Sequence, residues 1–280
     1  MSGARSMQLR GGEQVPVLGQ GTWYMGDHAS KRKQEIAALR LGIELGMTLI
    51  DTAEMYGNGR AEALVGEAIR GVRETVFLVS KVLPSNASRK GVRRACEASL
   101  KRLGTDRIDL YLLHWFSSHP LEETIRGFED LLAAGCIRHW GVSNFDRSEM
   151  EETFSTAGGA ACVANQVLYN LSRRGIEHEL IDWCRRRDVA IMAYSPIEQG
   201  RILSHPELKR VAQRHRATPA QVALAWILRE KGVIAIPKAG TPEHVRENRA
   251  ALDLDLTAED HAALDRAFPP PRGPTPLEML

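Results

Sequence analysis

The sequence predicts an α/β fold, a (β/α)8 TIM barrel of eight strand–helix units. Short apolar runs alternate with amphipathic stretches along nearly the whole chain. Several runs are continuously apolar, as in Asp109-Leu110-Tyr111-Leu112-Leu113-His114, which suits strands buried on both faces of a parallel sheet. The 280 residues contain no low-complexity linker, and that length is typical of such a barrel as one domain. A doubly wound open sheet would carry a glycine fingerprint in its first βα turn. Here Gly19-Gln20-Gly21-Thr22-Trp23-Tyr24 begins that way, but Tyr24 stands where the third glycine belongs.

A hairpin opens the chain at about residues 7–16, with Gly11-Gly12 at its turn. Strands are expected at Val17–Gly21, Thr48–Asp51, Val76–Lys81, Ile108–His114, His139–Ser143, Cys162–Val167, Ala190–Ser195 and Val233–Pro237. Helical stripes lie between them: Ile36, Leu39 and Ile43; then Val92, Ala95, Cys96, Leu100 and Leu103; then Leu121, Ile125, Phe128 and Leu132; then Ile176, Leu180, Ile181 and Cys184. Gly46, Gly104 and Gly135 follow three of the helices as stop signals. Thr241-Pro242 opens the last core helix with a cap and a first-turn proline. The proline-rich segment 269–274 begins a tail to residue 280, read as an extended strap.

Composition narrows the function. Lys plus Arg is 37 against 35 for Asp plus Glu, a net charge of +2, which argues against a nucleic-acid binder that depends on phosphate neutralisation. Arg185-Arg186-Arg187 ends a helix, where cations complement the dipole. No apolar run approaches the ~20 residues of a membrane span. Met1-Ser2-Gly3-Ala4-Arg5 leads into no apolar core, so no secretory signal is expected. Cys96, Cys136, Cys162 and Cys184 form no metal-binding spacing. The expectation is a cytoplasmic monomer with reduced thiols and no metal.

In a barrel, chemistry gathers at the C-terminal ends of strands. The polar residues that close the apolar runs are Asp51, Ser80-Lys81, His114, Ser143-Asn144, Asn165-Gln166, Tyr194-Ser195 and Lys238. With Tyr56, which follows soon after Asp51, four of them have complementary chemistry. A tyrosine hydroxyl is a weak acid with a reference pKa of ~10. The Lys81 ammonium would lower that value, Asp51 would hold the ammonium, and His114 would orient a carbonyl oxygen. Taken singly, each has a plainer use: Asp51 as a turn cap, Lys81 snorkelling to solvent, His114 as a satisfied core histidine.

The segment Asp51-Thr52-Ala53-Glu54-Met55-Tyr56-Gly57-Asn58-Gly59 resembles the catalytic motif of the aldo-keto reductase superfamily. The same holds for Leu18-Gly19-Gln20-Gly21-Thr22-Trp23, Val79-Ser80-Lys81-Val82, Leu112-Leu113-His114-Trp115 and Gly141-Val142-Ser143-Asn144-Phe145. Asn165-Gln166-Val167-Leu168-Tyr169-Asn170, Ala193-Tyr194-Ser195-Pro196 and Ile236-Pro237-Lys238 continue the series, from about Met7 to Phe268. Eight motifs in order are far more specific than one short pattern. Within the superfamily the chain is most similar to a bacterial branch that includes methylglyoxal reductases.

The resemblance implies an NADPH-dependent reductase of aldehydes and 2-oxoaldehydes. Tyr56 would be the proton donor, tuned by Lys81 and Asp51, with His114 placing the carbonyl. Ser143, Asn144 and Gln166 would hold the nicotinamide carboxamide, and Tyr194 would stack on its ring. The backbone through Ser195, Pro196, Ile197, Gln199 and Gly200 would wrap the pyrophosphate. Lys238 would meet the adenosine 2′-phosphate, with His244 adding a share, Glu247 and Asn248 would contact the adenine, and Ala239, Gly240 and Thr241 would also border the cofactor. Thr22 and Trp23 would also border the cofactor, while Trp23, Tyr24 and Trp115 would line the substrate pocket. The family often has Arg where this chain has His244, and many members have Ser where it has Ala239. NADPH preference is therefore weakened, with NADH as a poorer alternative. The short tail implies an open mouth. Two other readings stay open: a reductase of sugars, polyol precursors or keto esters on the same barrel, and a cofactor-sensing regulatory protein.

Overall fold

Gly11 and Gly12 take φ values of 102° and 97°, conformations that cost glycine little, and the chain reverses there. In this computed structural model, which describes residues 5–280, strands β1 (Ser6–Gln8) and β2 (Gln14–Pro16) pair antiparallel around that turn with Met7 opposite Val15. Residues 1–4, part of the stretch considered for a secretory signal, lie outside the described residues.

Eight parallel strands follow in chain order, each paired to the next. They are β3 (Gln20–Gly21), β4 (Leu49–Asp51), β5 (Phe77–Val82), β6 (Ile108–Leu113), β7 (Ile137–Ser143), β8 (Ala164–Leu168), β9 (Ala190–Tyr194) and β10 (Val233–Ala235). The sheet closes on itself. Leu18 bridges Ala235 and Gly21 bridges Lys238, both parallel, with Gly19 N donating to Ala235 O at 2.8 Å and Gly21 N to Pro237 O at 3.0 Å. Closure explains the glycine pair. A Cβ on Gly21 would lie 2.7 Å from the Ile236 carbonyl oxygen, and one on Gly19 2.7 Å from Leu49 Cδ2. The pair admits a neighbouring strand and is not a dinucleotide fingerprint.

Helices α1 (Arg32–Glu44), α2 (Arg60–Ala68), α3 (Arg89–Leu103), α4 (Leu121–Ala133), α5 (Arg147–Ser155) and α6 (Leu180–Arg185) join successive strands. Both α7 (Pro206–Arg214) and α8 (Pro219–Leu228) precede β10, and α9 (Pro242–Ala250) and α10 (Ala258–Ala267) follow it. Local chemistry sets their ends. Ser88 caps α3 by accepting from Gly91 N, Gly104 ends it in the left-handed region, and Thr241 caps α9 by accepting from His244 N. The stripe through Ile176 and Cys184 is split between a short turn at Gly175–Glu177 and α6. There the Glu177 side chain is drawn to Tyr169 Oη at 2.8 Å and to Arg174.

The continuous apolar runs are explained by two cores. Leu49, Val79, Leu110, Leu112, Met192 and Ile234 fill the barrel interior, over a floor made by Leu9 and Val15 of the hairpin. Tyr111, Leu113, Val142 and Ala193 face outward against the helices. After α10 the tail has no helix or strand. It crosses the C-terminal face of the barrel, where Glu278 pairs with Arg173 and Leu280 N approaches Tyr194 Oη at 3.4 Å.

Candidate active site

Barrel closure brings together residues that are distant in sequence. Asp51 ends β4, Lys81 lies near the end of β5, and His114 follows β6 directly. Tyr56 opens a tight turn in which Gly57 and Asn58 both have positive φ, and this turn returns the tyrosine over the strand ends. Lys81 Nζ donates to Asp51 Oδ2 at 2.8 Å, to the Thr52 carbonyl at 2.9 Å and to Tyr56 Oη at 3.1 Å. All three ammonium protons are thereby used on a side chain with no exposed surface. The His114 ring meets the Tyr56 ring edge-on, with centroids 5.9 Å apart.

The electrostatics differ from expectation in one respect. Burial raises the Tyr56 hydroxyl above the ordinary tyrosine value, Lys81 pulls it down, and Asp51 adds to the rise. The net shift is upward, because a desolvated phenolate costs more than the ammonium returns. Burial alone would lower Lys81, but Asp51 and the Tyr56 oxygen outweigh it and hold its pKa above the usual lysine value. Burial, helped by the Lys81 charge, pushes His114 down to about 3, so the ring is neutral at physiological pH. Its Nδ1 is buried with no partner among the described residues.

These groups border a cavity of about 620 Å³ at the C-terminal face. Most of the predicted site residues line it: Thr22, Trp23, Tyr24, Asp51, Tyr56, His114 and Trp115 on one side, Ser143, Asn144, Gln166 and Tyr194 beneath, and Ser195, Pro196, Ile197, Gln199, Gly200 and Lys238 beyond. Lys81 stands behind Asp51 and Tyr56. Ala239, Gly240, Thr241, His244, Glu247 and Asn248 lie outside the lining. Thr241 caps α9, and Ala239 and Asn248 are buried. His244 and Glu247 lie on that helix beyond the cavity, with His244 exposed.

The polar floor is tightly bonded. Ser143 Oγ donates to the Gln166 carbonyl at 2.9 Å. Asn144, with φ 57°, donates to the His114 carbonyl at 3.1 Å and accepts from Tyr194 Oη at 2.9 Å. Ser195, Glu198, Gln199 and Gly200 all have positive φ. That strained loop is held by the buried Glu198 carboxylate, which accepts from Asn170, Arg173 and Arg201.

Sequence reasoning missed five lining residues: Gly21, Met55, Ile236, Met279 and Leu280. The first three sit inside motifs already singled out, so alternation toward the mouth could have found them. The last two carry no sequence signal. The short tail nonetheless reaches the cavity and lines one side of its mouth, with both side chains exposed. Among the described residues no cluster of three His, Cys, Asp or Glu side chains is arranged to hold a metal ion.

Comparison with known proteins agrees with this geometry. The profile of the Aldo/keto reductase family matches residues 17–268. The chain is 52% identical over 281 residues to methylglyoxal reductase YeaE of Escherichia coli K12, covering 99% of each. It is 34% identical over 279 residues to glyoxal reductase of Bacillus subtilis, covering 98% of this chain and 97% of that one. An aldo-keto reductase from Klebsiella pneumoniae, solved in complex with NADPH, superposes with a TM-score of 0.97 at 50% identity over 99% of both chains. By profile, sequence and structure alike, the protein belongs to the aldo/keto reductase family.

Proposed function

We propose that the protein is an NADPH-dependent reductase of small aldehydes, with 2-oxoaldehydes such as methylglyoxal as its preferred class. The observation that carries this reading is the Asp51–Lys81–Tyr56 chain beside a neutral His114, at the wall of an apolar cavity. When bound, NADPH supplies the hydride. Tyr56 keeps its proton until an alkoxide develops and then donates it, while the ammonium of Lys81 stabilises the tyrosinate left behind. Asp51 holds Lys81 in place. His114, being neutral, offers a hydrogen bond to the carbonyl oxygen without adding a charge beside Lys81.

The residues present suit the cofactor. Gln166 lines the floor with an unused amide oxygen, and the left-handed loop at 195–200 borders the cavity. Lys238 is exposed at the rim, with no ion-pair partner among the described residues, and would meet a 2′-phosphate. His244, exposed on α9 and charged only part of the time near neutral pH, would add a smaller share.

Substrate class follows from the mouth. Trp23 and Tyr24 stack at 4.6 Å, and Tyr24, Met55, Trp115, Met279 and Leu280 are exposed apolar side chains around the same opening. Few polar groups there could pair the hydroxyls of a sugar, and each hydroxyl left unpaired costs roughly 1–3 kcal/mol, one to two powers of ten in kcat/KM. A 2-oxoaldehyde has none, and its second carbonyl makes the first more electrophilic. The test is NADPH consumption with methylglyoxal, an aromatic aldehyde and a panel of aldoses. A kcat/KM advantage for any aldose would refute the substrate reading. We further read the enzyme as a monomer folded as one domain, the oligomeric state being tested by light scattering, and as cytoplasmic, a reading supported by four cysteines that are all unpaired. No helix of the described residues is long and apolar enough to cross a membrane.

A further inference from the structure

Asp51 uses its two carboxylate oxygens in different directions. Oδ2 accepts from Lys81 Nζ at 2.8 Å, and Oδ1 accepts from Gln166 Nε2 at 2.7 Å. The same Nε2 lies 4.0 Å from Met192 Sδ, a weak acceptor for its second proton. A carboxylate has no proton to give, so only the NH2 end of Gln166 can face it. This contact sets which way round the amide stands. Oε1 is left for the cavity that Gln166 lines, and no described residue donates to it. By contrast, the Ser143 hydroxyl and both ends of the Asn144 amide already have partners. Of these three floor side chains, only Gln166 keeps a polar atom with no protein partner, and an acceptor that borders the cavity is free to take a donor from a ligand.

We propose that Asp51 is a positioning residue for the cofactor as well as for Lys81. By orienting the Gln166 amide, it turns Oε1 to accept from the NH2 group of the nicotinamide carboxamide. The inference rests on the reading of NADPH as cofactor. It assigns one carboxylate to two tasks: its Lys81 arm serves proton delivery and its Gln166 arm serves cofactor recognition.

Asp51→Asn separates the two arms. The new side chain keeps its shape but has an acceptor at one end only. The Lys81 ammonium takes that acceptor, so an NH2 group faces Gln166. The Gln166 amide then turns over, accepts through Oε1, and presents its own NH2 to the cavity. The preferred ligand group changes from a donor to an acceptor.

The experiment measures equilibrium dissociation constants by quenching of tryptophan fluorescence, for NADP+ and for its 3-acetylpyridine analogue. In that analogue an acetyl group, which only accepts, replaces the carboxamide. The wild type is expected to bind the analogue roughly tenfold more weakly, because Oε1 is left unpaired. In Asp51→Asn the ratio should fall to about one or reverse, and Asp51→Ala, which leaves Gln166 untethered, should also narrow it. Gln166→Met should abolish the discrimination with Asp51 intact. Tyr56→Phe should keep the wild-type ratio, because it leaves the Asp51–Gln166 contact alone. An unchanged ratio in both Asp51 variants overturns the inference, as does a wild type that does not discriminate. If the wild type fails to bind NADP+ at all, the cofactor reading falls and takes this inference with it.

Discussion

Lys81→Met removes the ammonium at the centre of the site while keeping most of its stem volume. Two consequences can be sized separately. The first is chemical. An ammonium 3.1 Å from a tyrosinate oxygen attracts it by about 5 kcal/mol at an effective dielectric of ~20. Even half of that, at about 1.4 kcal/mol per tenfold, is a 100-fold loss of rate. The second is structural. Asp51 would remain buried without its cation, and a broken buried pair typically costs ~3–5 kcal/mol. We therefore expect kcat for methylglyoxal to fall at least about 100-fold, with a lowered midpoint in urea unfolding. Adding Asp51→Asn to Lys81→Met removes the stranded charge, so the double variant should regain stability without regaining kcat. The assays are NADPH absorbance at saturating substrate and urea denaturation followed by tryptophan fluorescence. The reasoning fails if Lys81→Met keeps kcat within a few-fold of wild type, or if the double variant recovers activity along with stability.

Other expectations follow from the same geometry. Tyr56→Phe should reduce kcat by roughly 10²–10⁴-fold while NADPH still quenches tryptophan fluorescence; substantial remaining turnover removes Tyr56 as the proton donor. Lys238→Ala should weaken NADPH binding about tenfold or more while leaving NADH nearly unchanged, and equal weakening of both would sink the 2′-phosphate assignment. The pH profile of carbonyl reduction should be flat through neutrality. Tyr56 stays protonated below its raised pKa, and His114 stays neutral above about 3. A basic limb centred below about pH 8, or an acid limb near the ordinary histidine value of ~6.5, would contradict these assignments. Stability carries a matching sign. A histidine neutral in the fold and free to protonate when unfolded makes the protein lose stability as pH falls below ~6.5 toward 3, and His114→Asn should blunt that loss in urea titrations.

Much of the fold was legible because each strand is buried twice. In β6, Leu110 and Leu112 point into the barrel while Tyr111 and Leu113 meet the helices, so the run is apolar throughout and reads as a central parallel strand. Strand ends were harder. The first barrel strand is regular only over Gln20–Gly21 and β10 stops at Ala235, because closure relies on bridges whose partners lie more than two hundred residues apart. Three of the four chemical groups were legible for a related reason: Asp51, Lys81 and His114 each close an apolar run, and a barrel places all such ends on one face, whereas Tyr56, in the turn after β4, was marked only by the motif that begins at Asp51. The tail was not legible. Met279 and Leu280 have no periodicity to mark them, and their place at the mouth depends on Arg173 meeting Glu278 and on the Tyr194 hydroxyl, contacts made by chain packing.

The sign of the Tyr56 shift shows where residue chemistry stops being sufficient. The sequence supplies an ammonium beside a phenol, and that pairing alone predicts a lowered pKa. What it lacks is the cost of desolvation, which depends on how completely the barrel surrounds the hydroxyl, and here that cost dominates. The outcome suits a proton donor in a reduction. A tyrosine ionised at rest would have no proton to give, whereas a raised pKa keeps it loaded until an alkoxide forms. In the proposed proton transfer Lys81 would matter most afterwards, when the oxygen it faces at 3.1 Å would become negative. His114 obeys the same logic with opposite charge: burial keeps it neutral, so it can hydrogen-bond a carbonyl oxygen without competing with Lys81 for the developing charge. Burial beside one lysine thus sets both protonation states, and greater exposure to water should shift both groups back together, Tyr56 downward and His114 upward.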